Sequence, residues 1–277
     1  MRILAKERTN KIIKNSMISI VTAYYNRKSL FYETLKSIGR SKFKYFELIV
    51  VDDGSSAEHR LEEYLAVFPF MRIIRLEKEN KWYVNPCIPF NIGIRAAVGD
   101  IIMLQNPECL HVHDILTYVS ENIDDRKYIT MSAYYLDEKT TKELPKYSDN
   151  NYIADYLKTL PQQGTGGDKM GWFNHSIHRP VYYHFCSAIT KKNINLLGGF
   201  DERYAYGISY DDNEFIERIG RLGLNMVIAD NVSVIHLWHP TFYYADANFM
   251  ILHEKNRLLF ENVTKKETGY KVNNSVK

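Results

Sequence analysis

Short, mostly apolar runs alternate with amphipathic stretches over the first hundred or so residues. The runs are Met17 to Thr22, Phe46 to Val51, Met71 to Leu76 and Asp100 to Leu104. Such runs, bounded by turn residues, are what strands buried on both faces need. Between them lie three stripes with helical spacing. Ser29 is placed to cap a helix with Phe31, Leu35 and Ile38 inward, ended by Gly39. Glu58 to Phe68 puts Leu61, Tyr64, Leu65 and Phe68 on one face before Pro69, and Pro89 to Val98 starts with proline in its first turn. Strand, helix, strand, helix, strand, helix, strand predicts an α/β fold with a parallel sheet and helices on both faces.

The pattern then loosens. A helix is expected over His113 to Glu121 and strands over Tyr128 to Tyr135 and Tyr182 to Thr190. The stretch 136–180 is largely polar, and Gly164 to Trp172 holds four glycines in a mobile loop or lid. Asp211-Asp212 opens a helix with Phe215, Ile219 and Leu222 inward, closed by Gly223. Short strands follow at Met226 to Ala229 and Val232 to Ile235, and a terminal helix at Phe249 to Phe260.

The polar residues stand where the apolar runs stop. Thr22-Ala23-Tyr24, Asp52-Asp53 and Gln105-Asn106-Pro107-Glu108 all fall at strand carboxyl ends. Right-handed crossovers carry those ends to one rim of the sheet, the place where open α/β sheets bind ligands. Asp52-Asp53 before Gly54-Ser55-Ser56 reads as a ligand contact or as an ordinary turn and helix cap.

Length and composition bound the alternatives. The chain has 277 residues, enough for one large α/β domain. A net charge of +3 is too near balance to point to nucleic acid. Three cysteines without a CxxC pair argue for a reducing compartment over a disulfide framework. No apolar run reaches the roughly 18–20 residues that span a bilayer. The expectation is a cytoplasmic protein, with peripheral membrane contact through the basic arm 1–16 left open. The 21 tyrosines suit flat polar ligands as well as cores.

Ser19 to Ala23, Glu47 to Ser56 and Asn91 to Asp100 together resemble family-2-type glycosyltransferases of the GT-A fold. Gly198-Gly199-Phe200-Asp201-Glu202, followed by Asp211-Asp212-Asn213-Glu214, is similar to the acceptor half of galactosyl- and N-acetylgalactosaminyltransferases. The resemblance covers roughly Met17 to Pro240. It implies a mixed, mainly parallel sheet flanked by helices, and a domain over 17–240. Within it, 17–108 would be the nucleotide-binding half and 109–240 the acceptor half. A C-terminal helix and tail would occupy 241–277.

The resemblance further implies transfer of a sugar, galactose or N-acetylgalactosamine/glucose type, from a UDP-sugar to a hydroxyl with inversion. Thr22, Ala23 and Tyr24 would line the nucleoside, Asp53 and also Asp52 would contact uracil or ribose, and Arg27 would reach a phosphate. Family members end the fourth strand with Asp-x-Asp, where this chain has Asn106-Pro107-Glu108. Asn and Glu both offer oxygen to Mn²⁺ or Mg²⁺, although a plain turn is the other reading. His236 is the expected nitrogen ligand, preferred to His239. Asp212 would be the general base and Asp211 would hold acceptor hydroxyls, or the two would simply cap the helix. Trp172 and Gly199 are candidates for the sugar, and Trp82-Tyr83 for a sugar-facing wall, each with packing as the alternative. The acceptor stays open among glycan, glycolipid and protein. A transferase fold with weak or lost catalysis is the competing class. A nucleotidyltransferase lacks support, since no glycine-rich phosphate loop with a basic residue lies near the first strand.

Overall fold

The computed structural model describes residues 16–144, 150–240 and 248–265. The expected arm lies outside them except for Ser16, as do 241–247 and 266–277 of the expected tail. The chain opens with β1 (Ile18–Tyr24), α1 (Lys28–Gly39), β2 (Phe46–Asp53), β3 (Met71–Leu76), α2 (Cys87–Ala96) and β4 (Ile101–Gln105). These four strands lie in the order β3-β2-β1-β4, all parallel. The chain thus runs outward from β1 to β3 and crosses back to place β4 on the other side of β1. The carboxyl ends of β1 and β4 flank the resulting switch point.

The rest of the chain extends and closes the sheet. It comprises β5 (Cys109–His111), α3 (Ile115–Asn122), β6 (Lys127–Tyr135), α4 (Glu138–Glu143), α5 (Asn150–Thr159) and β7 (Gly171–Asn174). Then come β8 (Cys186–Thr190), α6 (Lys191–Leu197), α7 (Asp211–Arg221), β9 (Asn225–His236) and α8 (Phe249–Lys265). The order continues β4-β8-β6-β9-β5, with β7 on β6. β6 and β9 run parallel, while β8 is antiparallel to both its neighbours and β5 to β9. The architecture is α/β with one mixed sheet.

Alternation along each strand sorts the core into two layers. Ile18, Ile20 and Tyr24 of β1 and Leu48 and Val50 of β2 pack with Phe31, Leu35 and Ile38 of α1. Val21, Ile49 and Val51 face the other way, against Phe90 and Ile94 of α2, a layer that continues to Phe200 and Phe215.

Several local expectations are corrected. Residues 58–68 form no helix: 3₁₀ turns at Ala57–His59 and Glu62–Tyr64 are separated by an extended Arg60. Leu61 and Phe68 are buried, but Leu65 is exposed. Tertiary bonds outweigh helical propensity there, since Tyr24 Oη donates to the His59 carbonyl and Arg75 pairs with Glu62. Helix α1 begins two residues early, with Arg27 rather than Ser29 in the cap position. The polar stretch holds helices α4 and α5, and Gly171–Asn174 is a strand. The two short strands near the end are one strand, β9, with a register shift opposite Met131 and Ser132.

Candidate active site

The rim is built where β1 and β2 stop. Asn26, in a left-handed backbone conformation at φ 50°, accepts from the backbone and hydroxyl of Ser56 through Oδ1. Its own N–H donates to Ser55 Oγ at 3.1 Å. These bonds tie the loop after β1 to the turn after β2. A non-glycine residue held at positive φ is costly and persists only where its surroundings fix it.

The two acids ending β2 point to opposite faces, as a period of two requires. Asp52 is fully buried. It accepts from Arg75 Nη1 at 2.7 Å and from the Ser55 N–H at 2.9 Å, so its oxygens hold the turn. The expectation that Asp52 shares nucleoside binding is therefore replaced by a structural role. Asp53 keeps a partly open carboxylate, bonded to Lys81 Nζ at 2.6 Å and to Tyr83 Oη at 2.5 Å. Tyr24 does not line a nucleoside. Its ring is buried against Phe31 and its hydroxyl is spent on His59. Thr22 lies on the same buried face, and Ala23, half-buried, shares the face of Val21.

Glu108, three residues past β4, is the centre of a second group. Its Oε2 lies 3.0 Å from Arg27 Nη1, and its Oε1 lies 3.1 Å from His236 Nε2 and 3.6 Å from His239 Nε2. Pairing of β5 with β9 sets Cys109 opposite His236 and so fixes this meeting. Burial alone would raise the Glu108 carboxyl. The Arg27 charge and the hydrogen bonds from His236 and His239 win and hold it well below the usual carboxylate range. Burial lowers His236 despite Glu108, which keeps its imidazole neutral, the form that binds metals. Arg27, expected at a phosphate, also reaches His239 Nδ1 at 3.2 Å. Asn106 is half-buried, and its backbone is pinned to Phe185 and Cys109.

A third group stands at the start of α7. Ser209 and Tyr210 precede it at φ 63° and 65°, two successive non-glycine residues in the left-handed region. Asp211 is buried and accepts from Asn85 Nδ2 at 2.8 Å. Burial, then the neighbouring Asp212, pushes its carboxyl up to about 6. Asp212 is one-third exposed and is paired through Oδ1 with Nδ1 of the buried His184. Burial would lower the His184 pKa, but Asp212 raises it.

Trp172 offers no ring for stacking a sugar. It is buried, edge-on to Tyr134 at 5.0 Å, and its Nε1 donates to Gln162 Oε1 at 3.1 Å. Gly199, at φ 73°, brings the chain against α2. A Cβ there would meet Asn91 Oδ1 at 2.4 Å, so its place is a packing contact. Neither Asn85 nor His184 was legible as a site residue. Asn85 precedes Pro86 like any helix-entry turn, and His184 sits among aromatics. Lys81 and Tyr83 were equally unassigned as partners of Asp53.

Among the described residues, Glu108, His236 and His239 are the group able to hold a metal, with ligand atoms within 4.8 Å of one another. Adjacent ligands of an octahedral ion with bonds of about 2.1 Å stand about 3.0 Å apart. The 3.1 Å and 3.6 Å separations are compatible with such edges. No helix among the described residues is long and apolar enough to cross a membrane.

Comparison with known proteins bears on the fold and the family. Chondroitin synthase of Escherichia coli is 29% identical over 245 residues, which are 80% of this chain and 35% of that protein. Chondroitin synthase of Pasteurella multocida is 25% identical over 253 residues, 82% and 25% respectively. The chain thus spans only a part of these relatives. The solved structure of GalNAc-T7 with UDP, GalNAc and Mn²⁺ matches at a TM-score of 0.63 and 15% identity, covering 90% of this chain and 48% of that one. The mannosyltransferase PcManGT from Pyrobaculum calidifontis, in complex with GDP-Man and Mn²⁺, matches at 0.58 and 15%, covering 92% and 66%. These likenesses show the GT-A fold. A family model described as glycosyl transferase family 2 matches residues 19–195, more than half of the chain. The chain belongs to glycosyl transferase family 2.

Proposed function

We propose that the chain is an inverting glycosyltransferase that moves a sugar from a UDP-sugar to an acceptor hydroxyl. The sugar is of galactose or N-acetylgalactosamine/glucose type. The observation that carries the reading is the convergence of Glu108, His236 and His239 beside the switch point of the sheet. One carboxylate and two imidazoles fit a divalent cation. Nitrogen donors favour Mn²⁺ over Mg²⁺, which prefers oxygen. When bound, such an ion stabilises charge on the leaving diphosphate. GalNAc-T7 and PcManGT, whose structures hold Mn²⁺ with nucleotide or nucleotide sugar, support the choice.

The chain's own residues divide the work. Asp53 is the nucleoside contact, held by Lys81 and Tyr83. Arg27, cationic beside Glu108, is the group that can turn to a phosphate. Asp212 takes the proton from the acceptor hydroxyl as its oxygen attacks the anomeric carbon. Asp211 is less suited, being buried and committed to Asn85. His184 fixes the Asp212 carboxylate and balances its charge. The acceptor is a glycan, glycolipid or protein hydroxyl. Three buried free thiols, Cys87, Cys109 and Cys186, suit a cytoplasmic site of action.

A second reading, a binding protein with weak or lost catalysis, is favoured by Arg27. It already pairs with Glu108, where the family resemblance calls for an acidic metal motif. A UDP-sugar panel with Mn²⁺, followed by mass detection of released UDP and of product, decides between them. Tight UDP binding without hydrolysis or transfer from any donor would leave the second reading standing.

A further inference from the structure

The chain keeps two large aromatic rings in water beside its acidic residues. Trp82 is 55% exposed and Tyr206 is 52% exposed. Single exposed aromatics are ordinary, but these two come from distant segments and meet each other, with centroids 5.2 Å apart at 46°. We propose that Trp82 and Tyr206 form a platform that stacks a pyranose ring of a carbohydrate-chain acceptor, behind the sugar whose hydroxyl attacks. This deepens the glycosyltransferase reading and rests on it.

The platform is held rigidly from both sides of the site. Lys81 and Tyr83, which flank Trp82, both bind Asp53. The next residue, Val84, donates its N–H to the Ala205 carbonyl at 2.9 Å, which locks the two ring-bearing segments together. Asn85 then binds Asp211. One short strap therefore runs from the nucleoside acid to the acceptor acids, with Trp82 projecting from it. Tyr83 stands edge-on to Trp82 at 5.5 Å, and Lys255 Nζ lies 5.0 Å from the Tyr206 centroid, so neighbours orient both rings. Rings fixed before binding lose little entropy when a ligand arrives.

Covalent reach limits the distance to the reaction. Trp82 is three residues from Asn85, at most about 11 Å of extended chain, and Tyr206 is five from Asp211, at most about 18 Å. A sugar on the platform is thus a near neighbour of the attacking one. The apolar C–H face of a pyranose covers aromatic carbon while its hydroxyls stay in water. Trp and Tyr suit such contacts, being apolar in body and polar at one end.

The test uses the full chain with UDP and Mn²⁺ and chondroitin oligosaccharides of two, four and six sugars as probes. Calorimetry reads oligosaccharide and UDP affinity for the wild type, Trp82→Ala, Tyr206→Ala and Trp82→Phe. The wild type is expected to bind the hexasaccharide at least tenfold more tightly than the disaccharide. Both alanine variants should lose most of that gain, Trp82→Phe should retain it in part, and UDP affinity should stay within twofold. An absent length dependence in the wild type, or one unchanged in both alanine variants, overturns the platform. A matching loss of UDP affinity assigns the rings to the nucleoside and also overturns it. Failure of the wild type to bind UDP at all overturns the transferase reading itself, and the platform with it.

Discussion

Arg27 and Glu108 meet across the switch point of the sheet, Nη1 to Oε2 at 3.0 Å, joining the end of β1 to the end of β4. The carboxylate is almost wholly buried, so its charge depends on the groups that surround it. Arg27→Ala is expected to lower stability by about 2 kcal/mol in metal-free buffer. That is less than the roughly 3–5 kcal/mol for breaking a fully enclosed pair, because His236 and His239 remain. Mn²⁺ should restore most of the loss, since a bound cation replaces the missing charge. Urea unfolding with and without Mn²⁺ measures both effects. A variant as stable as the wild type, or indifferent to Mn²⁺, removes the electrostatic account of this pair.

The four strands of the first half and their parallel sense were legible because mostly apolar runs bounded by turn residues and alternating with helical stripes read as buried parallel strands, whereas their order in the sheet was not. The opposite fates of Asp52 and Asp53 also follow from strand alternation once β2 extends to Asp53. Other features depend on partners far away in sequence. Asn85 meets Asp211 across 126 residues, and His184 meets Asp212 across 28, so no local pattern marks either. Trp172 misled for a related reason. Its glycine-rich surroundings suggest a loop, but pairing of β7 with β6 turns its ring into the core.

Asp211 makes stability depend on pH with a definite sign. Its carboxyl rises from an ordinary 3.8 to about 6 through burial and Asp212. Between those values the folded chain binds the proton that the unfolded chain has released, so stability falls as pH rises through this window. The cost is on the order of 2–3 kcal/mol above pH 6. Asp211→Asn keeps an acceptor for Asn85 and removes the charge. It should be more stable than the wild type by about this amount at pH 7.5 and equal to it near pH 4. Unfolding midpoints at the two values read the difference, and a constant offset between them would contradict the assignment.

Helix α8 sets the entry to α7. Buried Asn256 donates Nδ2 to the carbonyls of Tyr204 at 3.1 Å and Ser209 at 2.9 Å. Gly207 lies so close that a Cβ would stand 2.3 Å from Asn256 Oδ1 and 2.7 Å from the Leu252 carbonyl. Asn256→Leu strands two carbonyls and is expected to cost about 2–4 kcal/mol. Gly207→Ala should share part of the same loss, so the double variant is less than additive. Both should lower kcat more than donor KM, because Ser209 and Tyr210, held at positive φ, lead directly into Asp211 and Asp212, the acids proposed to serve the acceptor. Additive stabilities would show that Asn256 and Gly207 act independently.

Asp212 and His184 give the sharpest test of the reaction. Asp212 has the more accessible carboxylate of the acidic pair, and His184, enclosed by Phe90 and Phe200, holds it in place. Asp212→Asn preserves shape but cannot accept a proton, so transfer should fall by about 10²–10⁴-fold. UDP affinity should hold within about twofold, since the proposed nucleoside contact is Asp53, which belongs to a separate group with Lys81 and Tyr83. His184→Gln removes the partner of Asp212 while leaving that proposed base in place, and should lower kcat by about tenfold and shift its pH profile. Product formation by mass and UDP binding by calorimetry separate the two effects. Near-normal transfer by Asp212→Asn would place the base elsewhere, whereas equal loss in UDP binding and transfer would make Asp212 a structural support of the donor site.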